Sequence, residues 1–144
     1  MAIKVVGIHH HAVRVGDGGE DLDAVHDFYT TVLGMGHDEG RPNIPEVPGW
    51  WINVGDGGQI HLIGGAFPSV VAKGPGQDPA APHVALAVEN ITEAKEELDR
   101  QGVSYFTSSA GETQQIFVHD PCGNMIELHQ FDKCRCIAAN RGDK

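Results

Sequence analysis

The chain is short of basic charge: ten Lys and Arg stand against 20 Asp and Glu in 144 residues, a formal net charge of −10. Without a basic face to neutralise phosphates, nucleic acid and anionic membrane surfaces are excluded as partners. Cysteine is scarce as well. There are three, an odd number, and two of them, Cys134 and Cys136, fall in a polar C-terminal stretch that reads as an exposed tail. That is not the framework of a small secreted disulfide protein. No apolar run approaches the roughly 18 residues that a membrane span needs. The opening Met-Ala-Ile-Lys-Val-Val-Gly is too short for the apolar core of a signal peptide. A cytoplasmic location is the expectation.

Histidine, by contrast, is abundant, with nine residues at positions 9, 10, 11, 26, 37, 61, 83, 119 and 129. Glycine is also frequent, at 19 residues. Ordinary apolar content excludes disorder, collagen and coiled coil. A chain of this length buries roughly two-thirds of its unfolded surface and needs no covalent staples.

Period-two alternation marks residues 8–15 as a strand, with His10, Ala12 and Arg14 on one face and His11, Val13 and Val15 on the other. After a Gly-Asp-Gly-Gly turn, Leu22, Val25, Phe28, Tyr29, Val32 and Leu33 recur at helical spacing, and Gly34 ends the helix. Pro42, Pro45 and Pro48 make 41–49 a loop, and Trp50–Val54 with Gln59–Ile63 form a hairpin on a second Gly-Asp-Gly-Gly. Past a Gly/Pro-rich linker come a strand over His83–Val88 and a helix from about Thr92 to Gln101, closed by Gly102. Strands follow near 103–107, 115–119 and 124–129. The predicted organisation is one domain over 1–144: module one at about 5–66, a linker at 67–82, module two at 83–130 and a tail at 131–144.

The two halves repeat. His10-His-Ala-Val-Arg-Val-Gly-Asp17 aligns with His83-Val-Ala-Leu-Ala-Val-Glu-Asn90, and Gly57-Gly-Gln-Ile-His61-Leu with Gly123-Asn-Met-Ile-Glu127-Leu. The expected fold is therefore α+β: two paired βαβββ modules related by a pseudo-twofold axis. The repeat puts His10, His61, His83 and Glu127 at matched places, where three imidazoles and a carboxylate suit one divalent transition metal. Zn, Ni, Co and Fe(II) all fit that set. His129 shares a face with Glu127 and is read as its neighbour behind the metal. His9, His11, His26, His37 and His119 are read as ordinary core or surface residues. One of Trp50 and Trp51 should pack in the core and the other should line the cavity. Arg14, on the His10 face, is a candidate for a substrate carboxylate, with a surface salt bridge as the alternative.

At His10–Asp17, Phe28-Tyr-Thr-Thr-Val-Leu-Gly-Met35, His83–Val88 and Asp120-Pro-Cys-Gly-Asn-Met-Ile-Glu-Leu128 the sequence resembles the vicinal oxygen chelate superfamily of glyoxalases, bleomycin-resistance proteins and extradiol dioxygenases. The resemblance covers about residues 7–130 and is closest in motifs to bacterial glyoxalase I. It implies an incomplete mixed β-barrel around the metal, His10, His61, His83 and Glu127 as ligands, Arg14 as a contact to glutathione, and a homodimer. Two positions depart from glyoxalase I and bear on glutathione as the carrier: His61 stands where Glu or Gln is usual, and Gly65 where Asn is usual.

Four protein ligands leave two open positions on an octahedral ion, which suits a small substrate with two vicinal oxygens. The first expectation is thus a lactoylglutathione lyase-like isomerase or lyase, working through a metal-stabilised enediolate with Glu127 as the base. An Fe(II) ring-cleaving dioxygenase is the alternative. It needs only three ligands, but Phe117 stands where those enzymes carry a tyrosine, and residues 105–115 hold no histidine. A drug-binding resistance protein ranks last, because all four ligand places are filled.

Overall fold

The computed structural model describes residues 2–16, 19–110 and 113–141. Its element order is β1 (Val5–Arg14), α1 (Gly19–Asp27), β2 (Gly49–Val54), β3 (Gly58–Ile63), β4 (His83–Val88), α2 (Ile91–Gln101), β5 (Phe106–Ala110), β6 (Thr113–His119) and β7 (Met125–Gln130). All seven strands form one mixed sheet, β2-β3-β1-β4-β7-β6-β5, which is not closed into a barrel. The turn expected after β1 includes Asp17 and Gly18, which lie outside the described residues. Among the described residues, no helix is long and apolar enough to cross a membrane.

The internal repeat is visible in the pairing. At the centre β1 and β4, the first strands of the two halves, run antiparallel. Each pairs in parallel with the last strand of its own half, β1 with β3 and β4 with β7. The outer partners are antiparallel again, β2 on β3 and β6 on β7. Beyond β6 the second half carries β5. In the first half the equivalent strand shrinks to a single bridge between His37 and Ile52. Pro42, Pro45 and Pro48 follow at once, and they remove the N–H donors a longer edge ladder would require.

Local chemistry sets the helix ends. The Asn90 side chain accepts the Glu93 N–H at the start of α2, and Gly102, with φ 71°, ends it in the left-handed conformation. The expected first helix is split. α1 ends at Asp27, and Phe28–Val32 continue as a wider π turn, in which the Leu33 N–H reaches back to the Phe28 carbonyl at 3.1 Å.

Both helices cover one face of the sheet. Ala94 and Leu98 of α2 pack on Val88, Ile116 and Leu128; Leu22 of α1 packs with Val15, Ile52 and Leu62. The opposite face carries His10, His61, His83, His129 and Glu127. Here Ala12 and Ala85, both fully buried, set the spacing. Ala12 is flanked across the sheet by His61 on β3 and His83 on β4. Ala85 is flanked by His10 on β1 and Glu127 on β7. Two methyl groups at the centre leave the four longer side chains room to lean together.

One departure from regular alternation changes the face count. β1 shifts register between Ile8 and His10, so the consecutive residues His9 and His10 are both buried while His11 is exposed. Strict alternation would place His9 on the opposite face, with His11.

Replacing Ile116, 1 % exposed, by Ala should cost about 2–5 kcal/mol through lost burial and a residual cavity. Urea unfolding followed by circular dichroism would measure it, and a loss under 1 kcal/mol would mean that this core collapses around the gap.

Candidate metal centre

His10, His83 and Glu127 converge. The His83 Nε2 lies 3.0 Å from Glu127 Oε1, the His10 Nε2 3.4 Å from the same oxygen, and the two Nε2 atoms 3.2 Å from each other. What the other ring nitrogens do decides the chemistry. The His83 Nδ1–H donates to the Ala81 carbonyl at 2.6 Å. The His10 Nδ1 lies 3.1 Å from the Cys136 sulfur, which is joined to Cys134 and carries no hydrogen, so the imidazole is the donor. With both protons committed at Nδ1, each Nε2 presents a lone pair. Two nitrogen lone pairs and a carboxylate oxygen then face one point, an arrangement that is repulsive unless a cation sits among them. This donor set fits a divalent transition metal.

The electrostatics agree. Burial lowers the pKa of His10, against the opposing pull of Glu127. Burial also takes His61 well below the usual imidazole value, and the neighbouring His10 adds to the effect. Both rings are therefore neutral at neutral pH, the form in which an imidazole can ligate a metal. Burial pushes the Glu127 carboxyl upward, and positive charge or N–H donation from His10 and His83 outweighs it and draws the group well below the usual carboxylate range; where both Nε2 atoms present lone pairs instead, a cation would have to take that part.

His61 is close but is not aimed at the same point. It stacks face to face on His10, ring centroids 3.8 Å apart, with Trp51 on its other side at 4.6 Å and the Arg41 guanidinium beyond Trp51. The Gln59 amide donates to Asp38 and Asn53, so its oxygen faces His61 and accepts the Nε2–H at 2.8 Å. His61 thus groups with His10 and Cys136 rather than with His83 and Glu127. Trp51 is the tryptophan on the site side, whereas Trp50 packs in the core against His26 and His37.

Arg14 is occupied. Its guanidinium donates to the carbonyls of Gly64, Gly65 and Ala66 and lies over the Phe67 ring. His129, expected beside Glu127, instead donates Nδ1–H to the Gln130 carbonyl and accepts from Gln115.

The polar C-terminal stretch is not the exposed tail expected. Residues after β7 fold back over the site, burying both Cys134 and Cys136. Arg135 between them forms a two-pronged ion pair with Asp38, at 3.0 and 2.7 Å. Asn140 fastens the segment to the Phe131 and Cys134 carbonyls. No local pattern announces this strap, because Asp38 and Arg135 are 97 positions apart. With the strap in place His10, His61, His83 and Glu127 are all buried. A cleft of about 900 Å³, lined by Phe67, Pro68, Pro82 and Met125 among others, opens beside the centre and reaches His83.

A sheet of paired repeats with a buried His/Glu cluster on one face defines the class of fold, and sequence comparison gives the family. The chain belongs to the Glyoxalase/Bleomycin resistance protein/Dioxygenase superfamily, whose model matches residues 7–128. Members of that superfamily typically bind a divalent metal. The chain is similar to Glyoxylase I 4 of Arabidopsis thaliana, 29 % identical over 119 residues, or 80 % of this chain. It spans 64 % of that protein's length. Among solved structures it is similar to methylmalonyl-CoA epimerase from Mycobacterium tuberculosis, with TM-score 0.66 and 26 % identity over 89 % of this chain and 90 % of that one. A methylmalonyl-CoA epimerase in complex with methylmalonyl-CoA and NH4+ shares the fold at TM-score 0.63 and 19 % identity, over 87 % of this chain and 94 % of the other.

Replacing Arg135 by Met removes both prongs of the Asp38 pair. Charge-assisted bonds of this kind contribute about 1.5 kcal/mol, so backbone amides in 134–140 should exchange with deuterium roughly tenfold faster. Unchanged exchange would show that the strap is held by packing instead.

Proposed function

We propose that the protein is a metal-dependent isomerase or lyase that moves a proton at a carbon beside a carbonyl, on a small substrate carrying two vicinal oxygens. The observation that carries this reading is the convergence of two Nε2 lone pairs and the Glu127 carboxylate, with both Nδ1 protons already committed. A divalent ion held by His10, His83 and Glu127, with His61 swinging in from Gln59 as a fourth ligand, would polarise both substrate oxygens and acidify the neighbouring C–H.

The chain's own groups then divide the work. Glu127 is the carboxylate in the converging set, so it is the group assigned to take the proton. Held well below the usual carboxylate range by the positive charge or N–H donation beside it, it is a weak base until that contact loosens. His83 is held in one tautomer by the Ala81 carbonyl, and His10 by the Cys136 sulfur. The cleft that reaches His83 receives the substrate. Arg14, tied to the Gly64 and Gly65 carbonyls, is open to a substrate carboxylate only after that loop moves; this favours a carrier other than glutathione. Relatives described as a glyoxylase I and as methylmalonyl-CoA epimerases support proton-transfer chemistry. Phe28, Val32 and Leu33, exposed on one short segment, suit a homodimer face, and a cytoplasmic enzyme is part of the same reading.

A second reading has one observation in its favour. His10, His83 and Glu127 form a two-histidine, one-carboxylate triad with His61 outside it, the set that an Fe(II) dioxygenase uses.

The two readings separate in one set of assays. Metal-loaded protein is incubated in deuterated water with methylmalonyl-CoA, and with hemithioacetals formed with and without glutathione. It is also incubated with catechols in an oxygen electrode. The proposal expects deuterium incorporation beside a carbonyl in at least one thioester or hemithioacetal, and no oxygen uptake. Oxygen uptake without deuterium incorporation would overturn it. Replacing Glu127 by Gln should slow the exchange by about 10²–10⁴-fold, and His61→Ala should lower metal affinity if that ring joins the centre.

A further inference from the structure

His9 stands apart from everything described so far. It is fully buried; its ring is directed weakly at the Phe131 carbonyl, and neither nitrogen reaches hydrogen-bond geometry. A buried polar group without a well-formed hydrogen bond is costly, so its position calls for a physical partner. It is not part of the His10–His83–Glu127 set. The register shift in β1 turns it toward β7 instead, where its ring meets that of His129 edge to face at 5.3 Å.

The third member is Cys134. One ligand atom each from His9, His129 and Cys134 lie within 4.8 Å of one another, and all three residues are buried. His129 is prepared in the same way as His83, with Nδ1–H donated to a backbone carbonyl, that of Gln130, and the Nε2 lone pair on the other side. Gln115 donates to that lone pair at 3.2 Å, a contact that a metal at this nitrogen would replace. The strap fixes the sulfur: Asn140 holds the Cys134 carbonyl, and Arg135 is anchored on Asp38.

The geometry points to a second metal site, built by His9, His129 and Cys134, that takes a thiophilic d10 cation, Cu⁺ or Zn²⁺. A thiolate with two imidazoles is the donor set such ions prefer, whereas the oxygen-containing centre at Glu127 suits a harder ion. A cation there satisfies the unpaired His9 nitrogen and neutralises a buried thiolate, both of which are costly alone. The site exists only in the reduced chain. Cys134 is paired with Cys136 sulfur to sulfur, and a thiol or phosphine reductant must first open that bond, two electrons and two protons giving two thiols. Cys134 then loses its proton to solvent as the metal binds. The inference is independent of the reaction proposed above.

Cobalt(II) is the probe, because thiolate ligation gives an intense near-ultraviolet charge-transfer band that nitrogen and oxygen ligation lacks. The full chain, freed of metal and reduced with a phosphine under argon, is titrated with Co²⁺. Two equivalents should bind, one of them with the sulfur band. Cys134→Ser and His9→Gln should each remove that band and one equivalent, and Cys122→Ala should change neither. His9→Gln leaves the strap intact, so it carries the test if Cys134→Ser fails to fold. Cu⁺ or Zn²⁺ should then displace the sulfur-bound cobalt first. Binding of a single equivalent with no sulfur band would overturn the proposal. So would a band that survives Cys134→Ser and disappears in Cys136→Ser, since the thiol would then belong to the His10 centre.

Discussion

Three electron-rich atoms pointed at one another, the Nε2 atoms of His10 and His83 and Oε1 of Glu127, form the constraint around which this fold is organised. Left alone they repel. They stay together because each imidazole is anchored by its other nitrogen, His83 on the Ala81 carbonyl and His10 on the Cys136 sulfur. The sheet brings them face to face across the fully buried Ala85 and Ala12. A cation placed there turns the repulsion into coordination. Folding and metal binding would therefore be coupled, because an ion at this point would relieve the repulsion that the folded chain otherwise carries.

The pseudo-twofold arrangement explains why two similar modules yield an unequal centre. By position, His10 answers His83, and His61 answers Glu127. Yet only Glu127 carries charge, and only His61 is drawn aside, by Gln59 and by the stack with Trp51 and Arg41. Gln59 is itself held by Asp38, and Asp38 by Arg135 of the strap. The orientation of His61 thus depends on a segment more than 70 residues away in the chain. Opening of the strap would release His10 from Cys136 and disturb the His61 network in one movement.

Much of this is legible in the sequence, because repeats and alternation are local signals. The offset that aligns His10 with His83 identifies the central strands, and the proline spacing identifies the loop before β2. Gly102 marks the end of the second helix, while its start falls at Ile91, capped by Asn90, one residue before the Thr92 expected. What escapes is non-local. A register shift in a strand leaves no trace in residue type, so His9 reads as lying on the wrong face. The Cys-Arg-Cys segment reads as a solvated tail because its partner, Asp38, sits in another module. Arg14 carries the right charge on the right face, but the loop carbonyls that occupy it cannot be seen in the local pattern.

X-ray absorption at the metal edge tests the central claim most directly. The chain, with its Cys134–Cys136 pair kept oxidised, is loaded with one equivalent of Zn²⁺. The account predicts a first coordination shell of nitrogen and oxygen, with the outer-shell scattering of at least two imidazoles, and its loss in His83→Ala. A shell of solvent oxygens alone, or one unchanged by His83→Ala, would contradict it.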